Sequence, residues 1–124
     1  GVTVSLGFAT YENYDYVFRL ALEWKEYGVT PEDVAIWRSY SAVPMHGLNG
    51  CLMGFYIGKY VFTGNKNFLT YSFLVPFFMH GIYNYFVQFG VLIVIAQLFY
   101  ALKLHKELSK LQFDKKREFE KKRI

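Results

Sequence analysis

The sequence has a single cysteine, Cys51, so no intramolecular disulfide framework is possible. No positively charged segment followed by a small-residue cleavage pattern opens the chain. A removable secretory leader is therefore not present in these residues. The chain begins with Gly1 inside an apolar run, and further residues are expected upstream of it. Asp, Glu and Arg are absent from about Tyr40 to Phe62. Lys59, near its end, is the one charged residue of that stretch. Basic charge is scarce outside the C-terminal tail: Lys103–Ile124 carries a net +5, and the preceding residues a net −1. A basic surface for nucleic acid is not indicated.

What is abundant is aromatic and apolar. Thirteen Phe, eleven Tyr and 53% hydrophobic residues fill 124 positions. A bilayer core needs about 20 helical residues to cross it, and four segments qualify as expected spans. They run from about Val2 to Leu22, Tyr40 to Phe62, Phe68 to Phe86 and Phe89 to Leu104. The fold class expected is all-α, a polytopic bundle with residues 1–104 in the membrane. Residues 105–124 form a basic amphipathic helical tail, with Glu107–Lys110 and Glu118–Lys122 as ion pairs. Thr30 before Pro31, Glu32 and Asp33 predicts an N-cap and a short helix in the first loop. Residues 63–67 predict a turn, and Gln88-Phe89-Gly90 a tight one. Counting Lys and Arg in short loops puts the basic C-terminus on the cytoplasmic or matrix side.

Polar groups at membrane depth are costly and need a reason. Asp15 and Arg19 are four apart and can neutralise each other. Glu12 has no such neighbour on its own helix. His46 heads an i,i+4 row with Gly50, Gly54 and Gly58, whose small residues admit a neighbouring helix. Ser72, Pro76, His80, Asn84 and Gln88 form a polar stripe on the third span, which Pro76 is expected to kink. Three helices thus each place one ionisable group on an interior face. Glu12, His46 and His80 are expected to share one polar site, able to hold a metal, carry protons or catalyse. His105 is read as interfacial and Cys51 as a small packing residue.

These residues carry a resemblance. Phe8-Ala9-Thr10-Tyr11-Glu12-Asn13-Tyr14-Asp15-Tyr16 is similar, at every fixed position, to the FAxxENxxY motif of PrsW-type intramembrane proteases. Arg38, then Pro44-Met45-His46 and a glycine-rich helix, resembles that family's second histidine segment. His80-Gly81-Ile82-Tyr83-Asn84 resembles its third. The family groups with CAAX prenyl and bacteriocin-processing proteases, helical membrane proteins that cut peptide bonds near or inside the bilayer. The resemblance implies an active site of Glu12, His46, His80 and Asn84, supported by Asn13, Tyr16 and Arg38. It implies a metal, zinc if any, on His46, His80 and Glu12, with a metal-free glutamate mechanism left open. Implied partners are the lipid bilayer, a transmembrane protein substrate and other membrane subunits. Two departures stand out. The family's EExxK/R motif, whose glutamate activates water, is absent here, and Asn84 stands where PrsW members commonly carry Asp. Without that glutamate the chain alone is not expected to hydrolyse peptides. The rival expectations are a non-catalytic assembly subunit of the same fold and an ion or proton transporter.

Overall fold

A computed structural model describes residues 1–123, the side chains of Leu20 and Ala21 excepted; Ile124, the last residue of the expected tail, lies outside the described residues. Helix α1 spans Val2–Tyr14 and passes into a π-helical turn, Asp15–Leu20, and a short α-helical turn, Ala21–Glu23. A 3-10 turn, Lys25–Tyr27, ends at Gly28, whose φ of 76° is the left-handed conformation that glycine adopts without strain. Helices α2 (Pro31–Tyr40), α3 (Ala42–Thr63), α4 (Asn67–Tyr85) and α5 (Gly90–Lys121) follow. A 3-10 turn, Val87–Phe89, makes the tight link before α5. Among the described residues there is no strand, so the chain is all-α.

Each helix boundary has a local cause. At α2, Thr30 Oγ1 accepts from the Asp33 backbone N–H at 3.2 Å, and the Thr30 N–H donates to Asp33 Oδ2 at 3.0 Å. This capping box satisfies two donors that the helix cannot. The Thr30 backbone and hydroxyl hold the Asp33 carboxyl below its ordinary pKa. Ser41 separates α2 from α3 with a non-helical φ of −122° and ψ of −68°. Its hydroxyl donates to the Trp37 carbonyl at 2.8 Å and accepts from Tyr83 Oη at 2.8 Å. At the end of α3, Gly64 takes a φ of 72° and caps the helix through Tyr60.

Helix α3 is the centre of the bundle, packed against α1, α4 and α5. Two apolar clusters hold it. One is Ala42, Met45 and Tyr83 with Ile93 and Val94; the other is Leu52, Phe55 and Leu104 with neighbours from α4 and α5. Polar pairs cross the same interfaces. Gln97 Nε2 donates to Asn49 Oδ1 at 2.6 Å, and the Tyr56 and Tyr100 hydroxyls meet at 2.8 Å. The expected glycine row divides in function. A Cβ on Gly50 would lie 2.6 Å from the Val2 Cα, whereas one on Gly54 would meet nothing within 4 Å and one on Gly58 would touch only the Leu108 side chain. The backbone contact between α1 and α3 is therefore made at Gly50.

The structure bears on several other expectations. By length and composition, one helix among the described residues, Val87–Lys121, is long and apolar enough to cross a membrane. The other expected spans form helices, but their polar residues dilute them: Glu12, Asp15 and Arg19 in the first, His46, Asn49 and Lys59 in α3, Ser72, His80 and Asn84 in α4. The tail continues the helix of the fourth expected span without a break, as α5 runs from Gly90 to Lys121. Glu107 does not pair with Lys110; it reaches across to Lys59 of α3, whose ammonium also lies 4.8 Å from the Phe68 ring. Glu118 pairs with Lys122 at 2.9 Å as expected. Cys51 is exposed. Pro76 sits within α4, which stays helical to Tyr85.

Much of the apolar surface faces outward. Phe73, Phe77, Phe78, Leu92 and Phe99 stand exposed, as do most of the large apolar side chains of α1. Continuous exposed apolar surface of this extent marks an interaction with membrane or partner.

Two outcomes follow from the packing. Gly50→Leu is expected to force α1 off α3, at the ~1–3 kcal/mol typical of overpacking, while Gly54→Ala is tolerated. Thermal unfolding of both variants in the same detergent measures the contrast. The cap on α2 is pH-dependent. A carboxylate whose pKa is depressed on folding adds stability above its unfolded pKa and loses it as pH falls through the folded value. Circular dichroism on acidification should show the wild type losing stability that Asp33→Asn lacks at every pH.

Candidate active site

Glu12 and Asn13 stand in the last turn of α1, and Tyr16 follows four residues after Glu12 in the π-helical turn. The π turn begins at Asp15; such turns insert an extra residue per turn and recur at functional sites. The Asp15–Arg19 pair closes on the exposed side, with Arg19 Nε 2.7 Å from Asp15 Oδ1. Glu12 turns the other way, into the bundle.

There it meets three cationic or imidazole groups from three other helices. Arg38 Nη2 of α2 donates to Glu12 Oε2 at 2.6 Å. His46 Nε2 of α3 lies 3.1 Å from the same oxygen, and His80 Nε2 of α4 lies 3.4 Å from Oε1. Arg38 Nε also donates to Asn13 Oδ1 at 2.7 Å, and its guanidinium stacks 4.0 Å above the Tyr16 ring. The partner that α1 lacked is thus Arg38, brought in by the Ser41 break between α2 and α3. His46 and Arg38 are buried, and Glu12 and His80 partly so.

The histidines are held by their surroundings. Their rings stand edge to face, 4.9 Å apart, and the Phe8 ring packs 5.6 Å from His46 and 6.1 Å from His80. Ser5 Oγ donates to the His46 carbonyl at 2.6 Å. Asn84 touches His80 alone among the described site residues, its amide 3.3 Å from Nε2, and its side chain is exposed. The polar stripe explains this. A step of four residues on an α-helix drifts about 40°. Ser72 and Pro76 are therefore buried, His80 is partly buried, and Asn84 and Gln88 have turned outward.

Sequence reasoning missed Phe8 as the packing partner of both imidazoles and Ser5 as the brace of the His46 backbone. It also missed Asn49, which lies one turn beyond His46. A helical wheel carries the signal for Asn49, since i+3 shares a face with His46. His105 is exposed, away from the site.

One ligand atom each from Glu12, His46 and His80 lies within 4.8 Å of the others. A tetrahedral zinc with bonds of about 2.0–2.1 Å spaces its ligands roughly 3.3–3.4 Å apart. His46 Nε2 lies 3.1 Å from Oε2 and His80 Nε2 lies 3.4 Å from Oε1, so each imidazole stands at about that spacing from one oxygen of the carboxylate. Two histidines and a glutamate also match a donor set of catalytic zinc sites, which keep a fourth position open. The residues present fit such an ion.

The ion pair is a structural commitment as well. Removing one partner of a buried pair costs about 3–5 kcal/mol, because the remaining charge is uncompensated. Arg38→Ala is expected to lower stability in detergent by that order. Arg38→Lys restores only part of it, since a point ammonium cannot serve Glu12 and Asn13 together. Equal unfolding midpoints for wild type and Arg38→Ala would contradict the assignment.

The site has relatives. The profile described as PrsW family intramembrane metalloprotease matches residues 1–104. Protease PrsW of Geobacillus kaustophilus is 41% identical over 85 residues, covering 67% of this chain and 33% of that protein. Protease PrsW of Bacillus subtilis is 39% identical over 88 residues, covering 68% and 36%. Protease PrsW of Clostridioides difficile is 36% identical over 95 residues, covering 70% and 36%. The chain spans about a third of the length of these curated relatives. No solved structure matches it. The exposed apolar surface and the apolar helix Val87–Lys121 associate it with the lipid bilayer. With the match running through all three polar segments of the cluster, the chain belongs to the PrsW family of intramembrane metalloproteases.

Proposed function

We propose that this bundle forms part of the catalytic centre of a protease that cleaves a membrane-embedded or membrane-proximal peptide bond. One observation carries this reading: three side chains of metal-ligating type, from three separate helices, converge within 4.8 Å. Convergence of this kind is expensive in an apolar bundle unless the groups act together. The identities of 36–41% to proteins named Protease PrsW support it.

In this reading Glu12, His46 and His80 hold zinc. Zinc bound there would lower the pKa of a water and polarise the scissile carbonyl. Arg38, Asn13 and Tyr16 fix the Glu12 carboxylate in one orientation, a supporting layer of the sort metal ligands need. Phe8 and Ser5 hold the His46 ring and its helix in place. Glu12 is committed to Arg38 and both imidazoles, so its role is ligand and not free base. Asn84, exposed beside His80, is placed to donate to a substrate carbonyl.

The membrane arrangement belongs to the same proposal. At 1.5 Å per residue, the 22 residues of α3 and 19 of α4 match a bilayer core about 30 Å thick. The chain is then multi-pass, with α1 and its π-helical continuation, α3, α4 and α5 as spans. The basic end of α5 lies on the cytoplasmic or matrix face.

The test is metal content and cleavage in the intact, reconstituted protein. Mass spectrometry should find one zinc per chain in the wild type and a loss of zinc in His46→Ala and in His80→Ala. Cleavage of a membrane-anchored peptide should fall at least about a hundredfold in both, the scale of losing a positioned catalytic group. Unchanged zinc content in the two variants would remove the ligand assignment. Wild-type cleavage that survives complete removal of metal would remove the metal from the reaction.

A further inference from the structure

Beside the carboxylate cluster, and walled off from it by Arg38, lies a second cavity of about 330 Å³. Its walls are Tyr16, Trp24, Trp37 and Tyr83, with Val34 and Arg38 at its base. Neither histidine nor Glu12 lines it. Val34, Arg38 and Tyr83 are buried, while Trp24 and Trp37 stand half-exposed at the mouth. The volume is at the lower end of small-ligand sites, about 300–1,000 Å³. It suits one bulky side chain with its peptide group.

Arg38 gives this cavity its polarity. Its Nε donates to Asn13 and its Nη2 to Glu12. Among the described residues Nη1 has no hydrogen-bond partner. Nor is it among the fully enclosed unpartnered atoms, where only Gln97 Oε1 appears. Arg38 lines the cavity, and Nη1 is the nitrogen that the Asn13 and Glu12 contacts leave free. Its two N–H donors are therefore the ones available to an occupant of the aromatic chamber.

The chemistry of an occupant follows by elimination. A cation is disfavoured, although aromatic walls alone would attract one. Arg38 repels it, and Asp33, which also lines the cavity, has its carboxylate engaged by the Thr30 N–H at 3.0 Å and the Thr30 hydroxyl at 2.8 Å. An anion gains little, because Glu12 already neutralises Arg38 at 2.6 Å. A neutral carbonyl attached to an apolar or aromatic side chain satisfies both the donors and the walls. A peptide supplies that combination at every bulky residue.

We infer that this cavity is a specificity subsite for the substrate. It takes a large apolar or aromatic side chain from a residue whose backbone carbonyl accepts from Arg38 Nη1. The inference rests on the proteolytic reading above and deepens it. Substrates are selected by one bulky residue at a fixed distance from the bond brought to the Glu12 cluster. Val29 and Val34, which also line the cavity, set how large that residue can be.

The two tryptophans of this sequence, Trp24 and Trp37, both line the cavity, so their fluorescence reports its occupancy directly. N-acetyl-phenylalanine N-methylamide titrated into the intact protein in nanodiscs should give a saturable spectral change. N-acetyl-glycine N-methylamide should bind at least tenfold more weakly. Trp24→Phe and Trp37→Phe should each remove part of the signal. Val29→Phe, at the half-buried rim, should block the phenylalanine probe. It should also raise KM for a substrate with an aromatic residue at that position, while a small residue there restores KM. Val34→Phe repeats the test from the cavity base should Val29→Phe misfold. Saturable phenylalanine binding with no proteolysis would keep the subsite and reject the proteolytic reading. Equal binding of both probes, or no effect of either filled variant, overturns the subsite whatever the activity. A spectral change driven by dodecylphosphocholine and not by the phenylalanine probe would assign the cavity to lipid, and overturns it too.

Discussion

The Glu12 carboxylate sets the terms for the rest of the bundle. A carboxylate turned into an apolar assembly loses its hydration and must find donors, since unpaired buried charge is among the costliest features a fold can carry. Arg38 Nη2 and two imidazoles surround it within 3.4 Å. Meeting that demand requires α2, α3 and α4 to converge on α1 at one level. Arg38 ends a short helix and His46 begins a long one, so the chain must break between them. Ser41 makes the break, and Tyr83 ties it to α4. The close contact at Gly50 then holds α1 near enough for Glu12 to reach.

Apolar burial alone does not hold this arrangement. The buried apolar clusters are small, and in lipid the outward aromatic side chains gain nothing from turning inward. Helix association must rest on close packing and on hydrogen bonds across interfaces. The Asn49–Gln97, Tyr56–Tyr100 and Ser41–Tyr83 pairs do this at three levels of α3. Each pair both joins two helices and fixes their register, which apolar contacts leave free to slide. Gln97 Oε1, buried without a protein partner, is the one place where that network is left incomplete among the described residues.

Much of this was legible in the sequence, and the limits have physical causes. Helices, the Thr30 cap and the 63–67 turn follow from local chemistry, and the sequence reads them correctly. The meeting of Glu12, His46 and His80 was legible because an ionisable group on each of three apolar helices has few other places to go. Arg38 as the Glu12 partner was not, since loop geometry joins residues 26 apart without leaving a periodic trace. The polar stripe of α4 leaves Asn84 exposed beside His80. The 40° drift per step carries it out to the surface by the third residue of the row after Ser72. Glu107 went to Lys59 and not Lys110 because a cross-helix partner held against Phe68 competes with a neighbour on an exposed face. The number of spans was the weakest expectation, since the polar residues that build the site also make the helices less apolar.

Arg38 joins the two functional regions through its geometry. A guanidinium is planar and rigid, so its donors hold fixed directions relative to one another. Once Nε and Nη2 are committed to Asn13 and Glu12, the direction of Nη1 is set as well. Tyr16, stacked 4.0 Å from the guanidinium, prevents the plane from tilting. A carbonyl that accepts from Nη1 is therefore placed in register with the Glu12 carboxylate, without any direct contact between them. A lysine could neutralise the carboxylate but could not transmit that register, because its ammonium rotates freely on a flexible stem. The charge that Glu12 demands for stability is thus met by the one cationic side chain whose remaining donors also keep a fixed direction.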